Sequence, residues 1–335
     1  MRRLLTLCLL WLLPTSVIAQ TAGVPGSMGF GARGIAIGNA LAGDASGSAS
    51  PFYNPALAPY LTDQSLGISA ALLTQDRQLQ FIELRTPLKP FAGIAAGLIH
   101  AGVSKIDQRD LSGYHTGMLS TNEYAFFAAF GLRVGQFTSI GIGLQLFRND
   151  LHQELSPVQT FGLDIGVSVR VIPSVHLGFV VDDLLAKYTW DTAGAGGRGI
   201  TDKFPTRLRL GGSWMLLEDR LQLLFEYESK FSARDIFEPE IVFSSNRPQQ
   251  VFNRRELMLH KSHFRVGAEY MLVPALVIRT GMSRLEEISS GGPRPSAGFR
   301  IEQSLGLLVT QVAYTFVLEP YALGTMHLVT LRFFL

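Results

Sequence analysis

From Phe161 to Val171 apolar side chains hold the odd positions, Phe161, Leu163, Ile165, Val167, Val169 and Val171, while the even ones are Gly162, Asp164, Gly166, Ser168 and Arg170. A period of two marks a strand whose two faces meet different surroundings. The pattern returns in Ile140, Ile142, Leu144 and Leu146 against Ser139, Gly141, Gly143 and Gln145. It returns again in Leu208, Leu210, Trp214 and Leu216 against Arg207, Arg209, Gly211 and Ser213, and in Phe264, Val266, Ala268 and Tyr270 against Arg265, Gly267 and Glu269. One face stays apolar in strand after strand with no second sheet needed to cover it. That face is expected to meet lipid, and the other to line a polar interior.

Reading every such run gives about 14 strands, an even number as bacterial barrels have. They are expected over 66–74, 78–86, 91–104, 121–133, 138–149, 158–171, 174–182, 204–217, 220–232, 260–272, 275–285, 295–304, 306–318 and 325–335. The connections alternate in length. Pro87–Pro90, Val134–Phe137, Pro173, Glu218-Asp219 and Val273-Pro274 are short, whereas 105–120, 183–203 and 233–259 are long. Short turns in the periplasm and long loops outside would place both termini in the periplasm. The last strand carries Val329, Leu331, Phe333 and Leu335 on one face. It resembles the C-terminal strand by which outer-membrane assembly machinery recognises its clients, although it ends on leucine.

Composition narrows the setting. Hydrophobic residues make up 47% of the 335 positions and charged ones 17%, yet no later stretch approaches the eighteen or so consecutive apolar residues of a helical span. Residues 1–19 read as a cleaved export signal, with Arg2 and Arg3 ahead of the apolar run Leu4–Leu13 and with Val17-Ile18-Ala19 before the cleavage point. The single cysteine, Cys8, falls inside that signal, so thiol chemistry and disulfides are excluded from the exported chain. Without Arg2 and Arg3 the chain has 27 basic and 27 acidic residues, which gives no electrostatic case for nucleic acid. The expectation is an all-β protein, a transmembrane antiparallel β-barrel in the outer membrane of a diderm bacterium, with outer-membrane lipid around it.

Residues 20–62 have a different character. Met28–Tyr60 is small, glycine-rich and nearly uncharged, and it cannot build a core of its own because too little would be buried to offset ordering its backbone. It is expected to fold as a plug inside the barrel formed by 63–335. Gly29, Gly31, Gly34 and Gly38 permit close backbone approach, and Pro55 biases Asn54 toward an extended conformation from which its side chain can bond neighbouring backbone. Gly34, Asn54, Pro55 and Ala56 are therefore the plug or gating candidates. The alternative is a rigid turn leading into the first strand.

Charged residues of both signs fall on the inward face. Arg85, Arg170, Arg207, Arg209, Arg265, Glu269, Arg279 and Arg300 are the lumen-facing candidates, with Glu83, Asp164, Glu226, Glu228, Lys230, Glu302 and Arg332 beside them. Pairing across strands would offset their desolvation. A minority could guide a solute instead. No long aromatic or aliphatic inward track is evident. Enzyme patterns do not assemble: Gly43–Gly47 lacks the spacing of a nucleophile elbow, Gly194–Gly199 sits in a long loop without the strand and helix of a phosphate site, and Asp182 and Asp183 should point apart. His260 and His263, three apart in a strand, should face opposite ways, so neither a metal site nor a cofactor is expected.

Met28-Gly29 through Gly34-Ile35-Ala36, Ala42–Ser46 and Tyr53-Asn54-Pro55-Ala56 resemble the start of PorV/PorQ-like outer-membrane proteins, as do Ala101–Asp107 and Ser120–Phe126. Asn54, Pro55 and Ala56 also match a plug motif of the more distantly similar long-chain fatty-acid transporter family. The resemblance implies a 14-stranded barrel with an N-terminal plug. It implies either an uptake channel for small hydrophobic or amphipathic ligands or an accessory protein of type IX secretion that binds or shuttles secreted proteins.

Overall fold

The computed structural model describes residues 28–151, 156–190, 200–244, 247–286, 292–305, 308–319 and 324–335. The expected signal, 1–19, and the first residues of the expected plug, 20–27, lie outside them. Sixteen strands follow one another: β1 (Ser65–Leu72), β2 (Arg77–Leu88), β3 (Ala92–Arg109), β4 (His115–Arg133), β5 (Thr138–Asp150), β6 (Val158–Ile172), β7 (Val175–Leu184), β8 (Lys187–Trp190), β9 (Ile200–Lys203), β10 (Thr206–Leu216), β11 (Leu221–Ser244), β12 (Arg247–Val273), β13 (Leu276–Ser283), β14 (Arg294–Leu305), β15 (Leu308–Glu319) and β16 (Gly324–Phe334). Fourteen of them close an antiparallel barrel in chain order, β16 pairing with β1, while β8 and β9 form a separate hairpin. Closure leaves no unpaired edge within the wall.

The alternation in the sequence is the alternation of the wall. In β6 Phe161, Ile165 and Val169 are exposed outside, whereas Gly162, Asp164, Gly166 and Ser168 are buried inside. Ile142, Leu144 and Leu146 repeat this on β5. The connections 89–91, 134–137, 173–174, 217–220 and 274–275 crowd one end of the barrel, as the short turns of the sequence require.

Three expected loops contain strand instead. Residues 105–120 continue β3 to Arg109 and start β4 at His115. Residues 183–203 hold the β8–β9 hairpin. Residues 233–259 form a two-stranded ribbon, with β11 and β12 paired from Ser232 opposite Leu259 to Ser244 opposite Arg247. β10 accompanies β11 only as far as Phe231, and β13 meets β12 only from Val266. Beyond those points β11 and β12 pair only with each other, so the barrel wall no longer compels an apolar-polar alternation and a search for it stops too early.

The N-terminal segment lies inside the barrel. A short helix α1 (Gly31–Ala36) and a 3-10 turn (Pro55–Tyr60) are its regular parts, and most of its residues are buried. It follows the inner wall in the reverse of strand order. Ala32 donates to Thr330 Oγ1 of β16 (3.0 Å) and accepts from Thr315 Oγ1 of β15 (2.7 Å). Ser296 of β14 donates to the Ala36 carbonyl (2.9 Å), the Ala42 N–H donates to Glu226 of β11 (2.9 Å), and Ser213 of β10 donates to the Gly43 carbonyl (2.9 Å). Asn54 Nδ2 reaches the Val167 carbonyl on β6 (3.3 Å), and Ser139 of β5 donates to the Ala56 carbonyl (2.7 Å).

Glycines admit this close approach. A Cβ at Gly281, Gly267, Gly178, Gly166, Gly141 or Gly93 would lie within 3.0 Å of the segment's atoms, at Gly38, Ile37, Ala42, Asn54, Pro55 and Ala58 in turn. The inward glycines are thus the track on which the segment's backbone lies. Its polar groups are satisfied there by inward serines and threonines, as buried backbone requires.

Candidate functional site

Along β2 to β4 and β16, beyond the segment, the side chains that face the lumen are apolar. Phe30 stands at the centre of an aromatic group, its ring centroid 5.1 Å from Phe52, 5.1 Å from Phe81 of β2 and 5.2 Å from Phe127 of β4. Leu79, Ile99, Met326 and Leu328 are fully buried on the same side. The β8–β9 hairpin lies against this region, Tyr188 packing on Phe204 (4.9 Å) and Phe204 on Phe147 (4.7 Å), while the Tyr188 hydroxyl donates to Glu123 (3.1 Å). The expectation that no apolar inward track exists is corrected here. Each strand contributes one or two such residues, and only closure of the sheet gathers them. The signal was present strand by strand: the inward positions of β2 read Leu79, Phe81, Glu83, Arg85, and those of β16 read Met326, Leu328, Thr330, Arg332.

Along β7 and β10 to β13 the lumen is charged and paired. Arg33 of α1 is held between Asp44 (2.5 Å) and Glu269 (2.9 Å), and Glu269 also takes Arg279 (2.7 Å). Burial acts to lower the affinity of the Arg33 guanidinium for its proton, but the two carboxylates outweigh it and hold the group above its ordinary value. Arg207 pairs with Asp183 (2.7 Å), Arg209 with Asp182 (2.5 Å), and Arg265 with Glu226 and Glu228. Arg209 also donates to the Tyr53 carbonyl (2.5 Å). Asp182 and Asp183 do not point apart: both are buried in the lumen, because Asp183 takes a left-handed conformation at φ 58° beside a break in the β6–β7 ladder.

The remaining site candidates fall in three places. Asn54 is fully buried in extended conformation (φ −158°), its Oδ1 accepting from Ala56 N (2.9 Å) and its Nδ2 donating to the Ala42 carbonyl (2.7 Å), with Pro55 opening the 3-10 turn. Gly34 lies under the Tyr53 ring, where an added Cβ would come within 2.5 Å of Cζ. Arg170 and Arg300 sit at the short-turn rim, donating to the Gln136 carbonyl (2.8 Å) and the Pro274 carbonyl (3.2 Å). Arg85 is buried on Ser65 Oγ (3.2 Å) and the Ser48 carbonyl (2.9 Å). His260 and His263 have separate partners, Ser229 Oγ (2.7 Å) and Glu286 (2.5 Å).

A cavity of about 360 Å³ occupies the middle of the loop that the segment makes. Glu83, Arg85, Arg279 and Arg332 line its lower wall, and Phe30, Leu41 and Tyr53 reach its inner end. Tyr53 is fixed by polar bonds: its hydroxyl accepts from Phe30 N (2.7 Å) and lies 3.1 Å from the Phe30 carbonyl and 2.7 Å from Asn39 Oδ1. Burial pushes this phenol well above the ordinary tyrosine range.

No known family profile and no curated protein matches the chain by sequence. Solved structures do resemble it in fold. A monoaromatic hydrocarbon channel, CymD, superposes with a TM-score of 0.57 at 13% identity, over 91% of this chain and 96% of that one. The toluene transporter TodX of Pseudomonas putida gives 0.57 at 12% identity, over 91% and 98%. A FadL homologue of Pseudomonas aeruginosa gives 0.55 at 13% identity, over 90% and 96%.

Proposed function

We propose that this protein is an outer-membrane channel for small hydrophobic or amphipathic molecules, and that residues 20–62 act as its plug. The observation that carries the reading is the cluster of Phe30, Phe52, Phe81 and Phe127, which gathers aromatic rings from the segment, β2 and β4 inside the lumen. Concave apolar sites with a few placed polar groups are what small hydrophobic ligands bind. The apolar outer wall supports a membrane setting, and the fold likeness to hydrocarbon channels supports an outer-membrane one. On this reading the short turns face the periplasm, residues 1–19 direct export, and the alternating face of β16 is read by the assembly machinery. The paired lumen charges are structural, and no enzymatic step is assigned to them.

A role in handling secreted proteins is the second reading. The ribbon of β11 and β12 beyond the wall is the observation that favours it, since it offers a protein partner an extended surface.

The test is purification of the full chain from outer-membrane fractions followed by mass spectrometry of what co-elutes, for the wild type and for Phe127→Asp. A hydrophobic compound bound to the wild type and lost from a folded Phe127→Asp barrel is the expected result. Enrichment of secreted proteins without any such compound would replace the channel reading with the secretion one.

A further inference from the structure

The cavity in the middle of the segment's loop has one buried positive charge more than its carboxylates balance. The guanidiniums of Arg33, Arg85, Arg279 and Arg332 line it, and the carboxylates that pair with them are those of Asp44, Glu83 and Glu269. At the rim Arg300 stands 3.6 Å from Glu302, and Asp63 is exposed to water. The excess lies with Arg85, which is 4% exposed. Its nitrogens donate to Ser65 Oγ and to the carbonyls of Ser48 and Ala49, all neutral, and Glu83 at 3.8 Å is already held by Arg332 at 3.0 Å. A buried charge with only neutral partners is costly until a counter-charge reaches it.

Arg279 has the donors to hold one. It is 5% exposed, its Nε donates to Glu269 (2.7 Å), and neither of its Nη nitrogens has a partner among the described residues. Neither nitrogen is sealed away, and Arg279 lines the cavity, so these N–H groups are turned to its open space. Arg33 of α1 bonds the same Glu269 oxygen (2.9 Å), which sets a second guanidinium beside the first. Arginine forks recognise oxyanions through short, charge-assisted bonds. Here the forks come from α1 and β13, with Arg85 on β2 as a third source of charge. That arrangement suits oxygens pointing several ways better than a flat carboxylate, which one fork satisfies. The lining runs from Phe30 and Leu41 out to Thr62, Asp63 and Phe334, beside the start of β1 and the end of β16, and about 360 Å³ leaves room for more than a bare ion.

We infer that this cavity binds a small tetrahedral oxyanion, a phosphate or the phosphoryl group of a larger molecule, on Arg279 and Arg33, with its charge balancing Arg85. The site stands apart from the channel reading, since neither the binding nor its test involves passage of a hydrophobic solute. Arg85→Gln removes the unbalanced charge and strands no carboxylate, because Glu83 keeps Arg332. Arg279→Gln removes the free donors, and Glu269 keeps Arg33. Both variants are therefore expected to fold.

The test is calorimetric titration of the full chain, folded in detergent, with inorganic phosphate and with phenyl phosphate at constant ionic strength. Saturable binding by the wild type is expected, weakened about tenfold or more in Arg279→Gln and in Arg85→Gln. Lys203→Gln, which removes an exposed charge outside the cavity, should bind as the wild type does. Tighter binding of phenyl phosphate would assign the site to an organic phosphate and tighter binding of inorganic phosphate to the free ion, and either order supports it. Acetate binding as tightly as both, equal binding by the wild type and folded Arg279→Gln, or no saturable binding at all overturns the site. Should neither variant fold, the thermal midpoint of the wild-type heat-modifiable form decides. Phosphate is expected to raise it above its value in chloride at equal ionic strength, and equal midpoints overturn the site.

Discussion

Asn54 and Gly166 share one space: the Oδ1 of Asn54 lies where a Cβ at position 166 would have to go. The same oxygen accepts from Ala56 N, while the amide nitrogen serves Ala42 and, on the strand that carries Gly166, Val167. One asparagine thus ties two parts of the segment to β6. Gly166→Ala is expected to destabilise the barrel by roughly 1–3 kcal/mol through overpacking, and Asn54→Ala by a similar amount through lost buried bonds. Gly135→Ala, where a Cβ meets nothing within 4 Å, is the matched neutral change. Thermal midpoints of the heat-modifiable form would show the difference, and equal midpoints for Gly166→Ala and Gly135→Ala would contradict it.

Arg209 joins wall and segment through Asp182 and the Tyr53 carbonyl, with all partners buried. Removing one member of a buried pair strands the other, at a cost of about 3–5 kcal/mol. Arg209→Met should therefore be severe, and adding Asp182→Asn should restore part of the loss. A double-mutant cycle measures this, and strictly additive effects would show that the pair is not coupled.

Arg332 closes the seam where the last strand meets the first. It spans β1 to reach Glu83 of β2 (3.0 Å) and Ser65 of β1 (3.1 Å), and Gly67 beneath leaves room for it, since a Cβ there would stand 3.3 Å from Nη2. Arg332→Gln is expected to lower the unfolding midpoint by an amount that added salt does not change, because the pair is shielded from ions. Lys203→Gln, which removes the exposed pair with Glu256, should cost 1 kcal/mol or less, and any loss should vanish in salt.

Glu286 tethers the connection after β13 to β12, its carboxylate accepting from Phe264 N (2.9 Å) and meeting His263 Nδ1 (2.5 Å). Partial burial raises its proton affinity, but the Phe264 amide and His263 outweigh this, and the group titrates below the ordinary glutamate range. A depressed value means that the tether is fully formed above the unfolded pKa and is lost as pH falls through the folded one. Hydrogen exchange at Phe264 should stay protected at pH 5 and open only below the usual glutamate range, and Glu286→Gln should remove that pH step.

How much of this was legible varies by element. β5 and β6 were readable almost to the residue, because lipid-like exposure on one face and a polar or glycine interior on the other force a strict period of two. The ribbon of β11 and β12 was not, since strands that pair only with each other beyond the wall are free of that constraint. Asn54, Pro55 and Ala56 stood out as chemistry, but Phe30 did not: a lone aromatic between two glycines has no period and no motif. Asp182 and Asp183 were misread because a local left-handed residue cancels the alternation that the reading assumed.

The sequence by itself determined the fourteen wall strands, their order around a closed barrel and the sidedness of their regular stretches, all of which follow from local periodicity and turn length. Only the tertiary structure decided what the lumen is. The division of the lumen into an aromatic side and a charged side, the path of the N-terminal segment along the inward glycines, and the meeting of Phe30 with Tyr53 each join residues far apart in the chain. Such contacts leave no trace in any single strand, because a strand's sequence records which face is wet and not which distant residue will stand opposite.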